Sequence, residues 1–426
     1  MSAANYRPGG PVFLWDIGEA NAATSALWRL QSSTSVFPQL LEQFGGIGII
    51  WEHRFYGNSS PYYIDSDTPA EAFRYLTTQQ ALADIPVFAA TFSRLDIDAD
   101  LTPRGTPWVM IGGSYPGMRA AFMRDFYPDT IYAAYAASAP VQASVDMSFY
   151  WDPIWAGLNA KGFANCTADI HASILEIDAL LSSPDTAAAL KRQFLGRNAT
   201  HNSNAAFADA LTTIFNLWLA YGVEGGPRGL RFFCDWLSTD PLSNTTSPAA
   251  GWAPSRGANY TIARWAAWPF SMSAVNNGMS TACEGPGRTG AQLPWCDLER
   301  LVTHPDGIAW RWQACTEWGF FQTANLGARQ LVSRFRDLAY QRYQCRRQFP
   351  DGVATGLLPE WPRVEETNSL FGGWSVRPAR TYWSGGEFDP WRTLSPLSGE
   401  EWAPEVGISQ EMPGCGDKYV GSSGRF

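Results

Sequence analysis

The chain has 426 residues, 45% of them hydrophobic and only 17% charged, which excludes a disordered chain and leaves room for one large domain or two ordinary ones. Its net charge of −9 comes without a basic run, which argues against nucleic-acid binding. No stretch approaches 18 consecutive apolar residues, so no transmembrane helix is expected, and four His with seven dispersed Cys and no C-x-x-C pair argue against zinc.

In chain order, Pro11–Trp15 reads as a buried strand, followed by the loop Asp16-Ile17-Gly18-Glu19-Ala20. Residues 22–44 read as an amphipathic helical stretch, and Gly48–Trp51 as the next strand, ending in Glu52-His53-Arg54-Phe55-Tyr56-Gly57. Residues 77–95 read as a further helix with a kink at Pro86. Trp108–Ile111 is a strand that runs into Gly112-Gly113-Ser114-Tyr115-Pro116-Gly117 and then a helical pattern through Phe126. Strand, glycine turn with serine at the apex, then helix is the layout of a nucleophile elbow. Its glycines are expected to avoid a clash of a Cβ at Gly112 or Gly113 with the neighbouring strand or helix. The helix N-terminus would aim its amides where an oxyanion forms. The pattern departs from G-x-S-x-G, because Pro116 holds the second glycine position. In such a fold the loop after an early strand supplies a second oxyanion N–H, which makes residues 16–20 the candidate.

Tyr132–Pro140 reads as a small-residue strand with a proline stop. Strands alternating with helices predict a parallel sheet covered on both faces. Beyond Pro140 the texture turns to helical patterns such as Ile170–Leu181 and Ala205–Ala220, separated by Trp-, Gly- and Pro-rich loops, with no convincing strand alternation. We expect an α/β domain over 1–144, a helical cap inserted over 145–372, and the last part of the α/β domain over 373–426. Arg380–Ser384 returns as a strand, and Asp389 follows it, where a hydrolase keeps the carboxylate of its triad. The competing reading of Asp389 is a residue that opens a turn before Pro390.

Six blocks in order resemble one family, the proline-specific serine peptidases that include prolyl carboxypeptidase, dipeptidyl-peptidase II and fungal acid prolyl endopeptidases. They are Glu52–Gly57, Leu76–Asp84, Gly112–Gly117, Ala137–Pro140, Trp312–Glu317 and Gly386–Trp391. The resemblance implies an α/β-hydrolase fold with a helical cap, cleavage next to proline, no cofactor, and residence outside the cell or in a lysosome or vacuole. Carried over residue by residue, it implies Ser114 as nucleophile, Asp389 as triad acid, the Tyr115 N–H as one oxyanion donor and Trp391 packed on the substrate proline. Glu317 and Glu52 are candidates for binding a substrate terminus, against pairing with arginine in the interior; Phe320 and Phe321 are candidates for the proline pocket, against plain packing. Partners are then proline-containing peptides and a second copy in a homodimer, with no nucleic acid and no membrane.

The family places its histidine after the acid, and no histidine follows Asp389 in this sequence. His53 is expected to serve the Glu-His-Arg loop, and His171, His201 and His304 to be solvated. The N-terminus lacks a signal peptide, so together these point to a sequence clipped at both ends, with Cys415 short of a partner. Five N-x-[ST] sequons, at Asn58, Asn165, Asn198, Asn244 and Asn259, and the dispersed Cys point to a disulfide-bonded, secreted glycoprotein. The alternative is a catalytically inactive homologue that binds peptides or partners because the base is absent. A lipase or esterase shares the elbow but not the Asp-Pro-Trp and Gln-Ala-Cys-Thr-Glu blocks.

Overall fold

A computed structural model of the chain describes residues 1–285 and 296–404. Four apolar runs form strands where the sequence places them: β1 (Val12–Asp16), β2 (Ile47–Trp51), β3 (Trp108–Gly113) and β4 (Ala133–Ala137). Two short strands follow, β5 (Ser144–Asp146) and β6 (Gly319–Phe321), and then β7 (Thr381–Ser384). The main sheet is parallel throughout, in the order β2-β1-β3-β4-β7. Such strands are apolar on both sides because helices cover both faces of the sheet.

Four helices connect the first strands: α1 (Ala26–Gln31), α2 (Val36–Phe44), α3 (Thr78–Ala89) and α4 (Tyr115–Phe126). On one face Phe37 and Leu41 of α2 pack against Phe13 and Ile111. On the other, Leu82 and Ile85 of α3 and Met118 and Phe122 of α4 pack against Leu14, Met110 and Ala136. This is the α/β-hydrolase arrangement, with α4 following the serine. The stretch expected to be helical over 22–44 is broken: a 3-10 turn and α1 end at Ser32, and Ser35 starts α2 by accepting the Phe37 N–H. Helix α3 carries Pro86 inside it and stops at Ala89 rather than 95.

Between β4 and β7 the described residues are mainly helical, including Ala164–Leu180, Pro184–Leu195 and Leu230–Ser238. The exception, against the expectation of no strands there, is the parallel pair β5–β6, which aligns Ser144 with Gly319 and Asp146 with Phe321. Three residues are too few to show a period of two in the sequence. One apolar cluster runs from Met110 and Ala136 of the sheet through Met147 and Trp151 to Phe207 and Trp265 of the helices. Sheet and helices therefore share a core. Three disulfides close the helical region: Cys166–Cys234, Cys283–Cys296 and Cys315–Cys345. Cys415 lies outside the described residues. No helix among the described residues is long and apolar enough to cross a membrane.

Candidate active site

Ser114 occupies the turn from β3 to α4 with φ 65° and ψ −131°, a conformation that L-residues avoid and that functional sites retain. Its N–H donates to Ala137 O at 2.9 Å, and Met118 N–H donates to its carbonyl at 3.1 Å. A Cβ on Gly112 would lie 2.2 Å from Pro116 O, and one on Gly117 would lie 2.6 Å from Ala137 O. The elbow thus needs glycine at 112 and 117. It does not need it at Gly113, where a Cβ would meet only Ala137, at 3.9 Å. The expectation for Gly113 fails because its Cα faces open space. Tyr115 is the first residue of α4, so its N–H has no acceptor within the helix.

Parallel pairing fixes where the acid lies. Gly113 aligns with Ala137, Ala137 with Ser384, and Ser138 N–H donates to Ser384 O at 2.7 Å. Ser114 and the Gly385–Asp389 loop therefore leave the same edge of the sheet two strands apart, about 10 Å between backbones. Asp389 is half-buried and opens the 3-10 turn Pro390–Leu394, its Oδ1 accepting the Trp391 N–H at 3.0 Å. So the turn-opening reading of Asp389 also holds. Its Oδ2 is buried with no hydrogen-bond partner among the described residues. Burial raises its carboxyl above the ordinary range, against the Trp391 N–H and the Ser138 hydroxyl, which lies near it without making a hydrogen bond. Ser138 itself has φ 46°.

Aromatic rings stand beside the acid. Trp391 meets Phe320 at 5.3 Å and Tyr150 at 5.5 Å, both edge-on. Phe320 has φ 60° and stacks on Trp318 at 5.8 Å. Phe321 belongs to a different apolar cluster, with Phe55 and Phe349. Tyr150 is buried, and burial together with the Asp389 charge raises its phenol. Sequence reasoning missed Tyr150, although the aromatic run Phe149-Tyr150-Trp151 was visible. The helical region braces the acid loop, since Trp218 Nε1–H donates to Phe388 O at 2.9 Å. A cavity of about 580 Å³ opens beside Asp389 and is lined by Lys161, Trp218, Tyr221, Glu224 and Glu387.

Three of the sequence blocks meet behind the serine rather than at it. The Tyr115 hydroxyl lies 3.0 Å from His53 Nε2 and 3.1 Å from Thr78 Oγ1, and accepts the Gln313 amide at 2.8 Å. His53 Nδ1–H donates to Arg54 O at 2.6 Å. Burial first, then the Arg119 charge, holds the imidazole well below its ordinary range, so it is neutral and its Nε2 accepts the Tyr115 proton. Arg54 ties the same Glu52–Gly57 and Leu76–Asp84 blocks together through a bidentate pair with Asp84, at 2.7 and 2.6 Å. Glu317 spends its carboxyl here too. Thr78 N–H lies 3.1 and 3.2 Å from its two oxygens, and Thr78 Oγ1 lies 2.9 Å from Oε2. It thus caps the start of α3, where a carboxyl is favoured. Glu52 likewise accepts the Ala22 N–H at 2.8 Å. His171, expected in solvent, is half-buried and donates from Nδ1 to Gln330 O at 2.9 Å; His201 and His304 are exposed.

The loop after β1 runs beside this turn. Ile17 N–H donates to Trp51 O at 3.1 Å and Gly18 N–H to Asp16 Oδ1 at 3.0 Å. The Glu19 N–H faces its own carboxylate, so Ala20 is the one N–H of residues 17–20 without an acceptor among the described residues. Burial pushes the Glu19 carboxyl up to about 7.

The sequence profile of the serine carboxypeptidase S28 family matches residues 1–225 and 256–409. The chain is similar to the protein named "Probable extracellular serine carboxypeptidase" of Arthroderma benhamiae, 28% identical over 414 residues, covering 92% of this chain and 54% of that protein. It is similar to serine protease vicPb of Bipolaris victoriae, 27% identical, covering 91% of the chain and 72% of the relative. The thymus-specific serine protease of Mus musculus is 28% identical, with 90% and 71% covered. The chain thus spans about half the length of the first of these relatives. With the profile covering most of its length, the chain belongs to the serine carboxypeptidase S28 family.

Proposed function

We propose that the protein is a serine peptidase that cleaves peptides next to proline, in a secreted or lysosomal setting. The observation that supports it best is Ser114 on a strained strand-to-helix turn, with a carboxylate, Asp389, at the same sheet edge and one buried oxygen unpartnered among the described residues. Ser114 Oγ attacks the peptide carbonyl, and the Tyr115 N–H holds the oxyanion. The amine leaves with the proton taken from Ser114, and water hydrolyses the acyl-enzyme. A rigid apolar proline ring loses little freedom when it stacks in the wall of Trp391 and Phe320. Three disulfides favour an oxidising compartment.

The reaction needs an imidazole between Ser114 and Asp389. His53 is committed to Tyr115 and Arg54, His171 to Gln330, and His201 and His304 are exposed in the helical region. The peptidase reading therefore requires a base that these 426 residues do not supply. Taken alone they fit the second reading, a non-catalytic peptide binder. Turnover of a Gly-Pro chromogenic amide by the 426-residue chain and by a chain extended at its C-terminus separates the two. Activity in the longer chain, abolished by Ser114→Ala, is the expected result. Inertness of both chains, with retained binding of proline peptides, would establish the binder.

A further inference from the structure

Asp16 and Arg119 form an ion pair with no solvent exposure on either side chain, Arg119 Nη1 standing 2.6 Å from Asp16 Oδ2. We propose that this is the positioning pair of the site: it clamps the loop after β1 onto the first turns of α4, so that the loop's N–H groups and the Tyr115 N–H converge on one oxyanion beside Ser114. The proposal rests on the peptidase reading above.

A buried ion pair is a poor way to gain stability, because removing two charges from water costs as much as their attraction returns. Its connections are what recommend another role. Asp16 uses its second oxygen to accept the Gly18 N–H at 3.0 Å, so the carboxylate binds its own loop with one oxygen and α4 with the other. Arg119 Nη2 donates to Ala81 O of α3 at 3.3 Å, and its guanidinium lies 5.6 Å from the Tyr115 ring. Gly18, at φ +70°, sits so close to α4 that a Cβ would fall 2.2 Å from Pro116 Cγ. The loop thus touches the residue two places after the nucleophile. With Ile17 and Gly18 bonded inward and the Glu19 N–H facing its own carboxylate, the Ala20 N–H is the loop donor left over for an oxyanion. An apolar pair of equal volume would fill the space but would fix neither the Gly18 N–H nor the distance from loop to helix.

The test compares the wild type with the Asp16→Leu/Arg119→Leu double variant, since either single change leaves a buried charge and threatens folding. In the C-terminally extended chain, kcat on a Gly-Pro amide is expected to fall about a hundredfold, the loss typical of one oxyanion donor, with KM within twofold. Hydrogen exchange of residues 17–20 is expected to quicken at least tenfold, while β3 stays as protected as in the wild type. A double variant that keeps the wild-type kcat, or wild-type exchange at 17–20, overturns the proposal and leaves a pair that only fills space. Failure of the underlying reading looks different: the wild type then shows no turnover, or Ser114→Ala leaves turnover intact, and exchange at 17–20 alone decides whether the clamp exists.

Discussion

The Gln313 side-chain amide reaches across 198 residues of chain to donate to the Tyr115 hydroxyl at 2.8 Å, directly behind the Ser114 turn. Tyr56 O–H in turn donates to Gln313 Oε1 at 2.6 Å. The residue after the serine is therefore held from three sides by buried polar groups, and its backbone N–H is fixed by its side chain.

Tyr115→Phe should cost about 1–3 kcal/mol in urea unfolding, the range for stranding a buried polar partner. The ring and its contacts with Trp310 and Trp318 survive the change, so only the hydroxyl's bonds are lost. A cost under a few tenths would mean that water or a shifted Thr78 replaces the hydroxyl.

The two glycines before the serine should part company. Gly112→Ala forces a methyl into Pro116 O and should destabilise by about 1–3 kcal/mol, as overpacking does. Gly113→Ala meets nothing closer than 3.9 Å and should unfold at the wild-type midpoint. Thermal melts of both variants check this, and equal losses would contradict the geometry.

Stability should decline as pH rises through neutrality. Burial pushes Glu317 up to about 7 from an ordinary 4.5. The folded state then holds a proton that the unfolded chain has released, so the contribution is complete below about 4.5 and is lost as pH rises through about 7. A rise of that size is worth on the order of 3 kcal/mol. The proton has a place: a protonated Glu317 donates to Thr78 Oγ1, which frees the Thr78 hydrogen for Tyr115 and the Tyr115 hydrogen for His53. An ionised Glu317 claims the Thr78 hydrogen and leaves the bond to Tyr115 without one. Glu317→Gln should flatten the pH dependence of the melting temperature between 5 and 8; an unchanged slope would rule Glu317 out as its source.

The disulfides should differ in worth by loop length. Cys166–Cys234 closes 68 residues and Cys283–Cys296 only 13. In the chain-entropy account the paired Cys→Ala changes cost about 4 and about 3 kcal/mol respectively. Denaturant midpoints under non-reducing conditions measure both, and the reverse order would point to native-state effects instead.

On the proline-peptidase reading, Trp391→Ala in the C-terminally extended chain should remove the preference for proline over alanine beside the scissile bond, mainly through KM. Leu at 391 should restore part of it. An unchanged preference would leave Trp391 as packing against Tyr150 and Phe320.

The strands and the elbow were legible in the sequence because a parallel strand writes itself as a continuous apolar run and a tight turn as glycine. The break at Ser32–Ser35 carried a signal too, a serine ready to cap α2, but the apolar periodicity on either side concealed it. The glycine pair was legible only as a pair: which of Gly112 and Gly113 faces the helix depends on where Pro116 O comes to lie. Glu317, Tyr150 and the Asp16–Arg119 pair depend on contacts between distant segments, and a charged residue in a sequence does not announce that it will be buried. The motif blocks marked real contacts, yet Arg54, Asp84 and Gln313 spend them on one another and on Tyr115.

The order of strands has a consequence in time. β4 ends at Ala137 and its partner β7 begins at Thr381, so during synthesis roughly 240 residues separate the two, on the order of 10–50 s at typical ribosomal rates. Through that interval the Ser114 turn can already be folded on β1–β4 while Asp389 has not yet been made. The edge of β4 is meanwhile open to any passing strand until β7 docks.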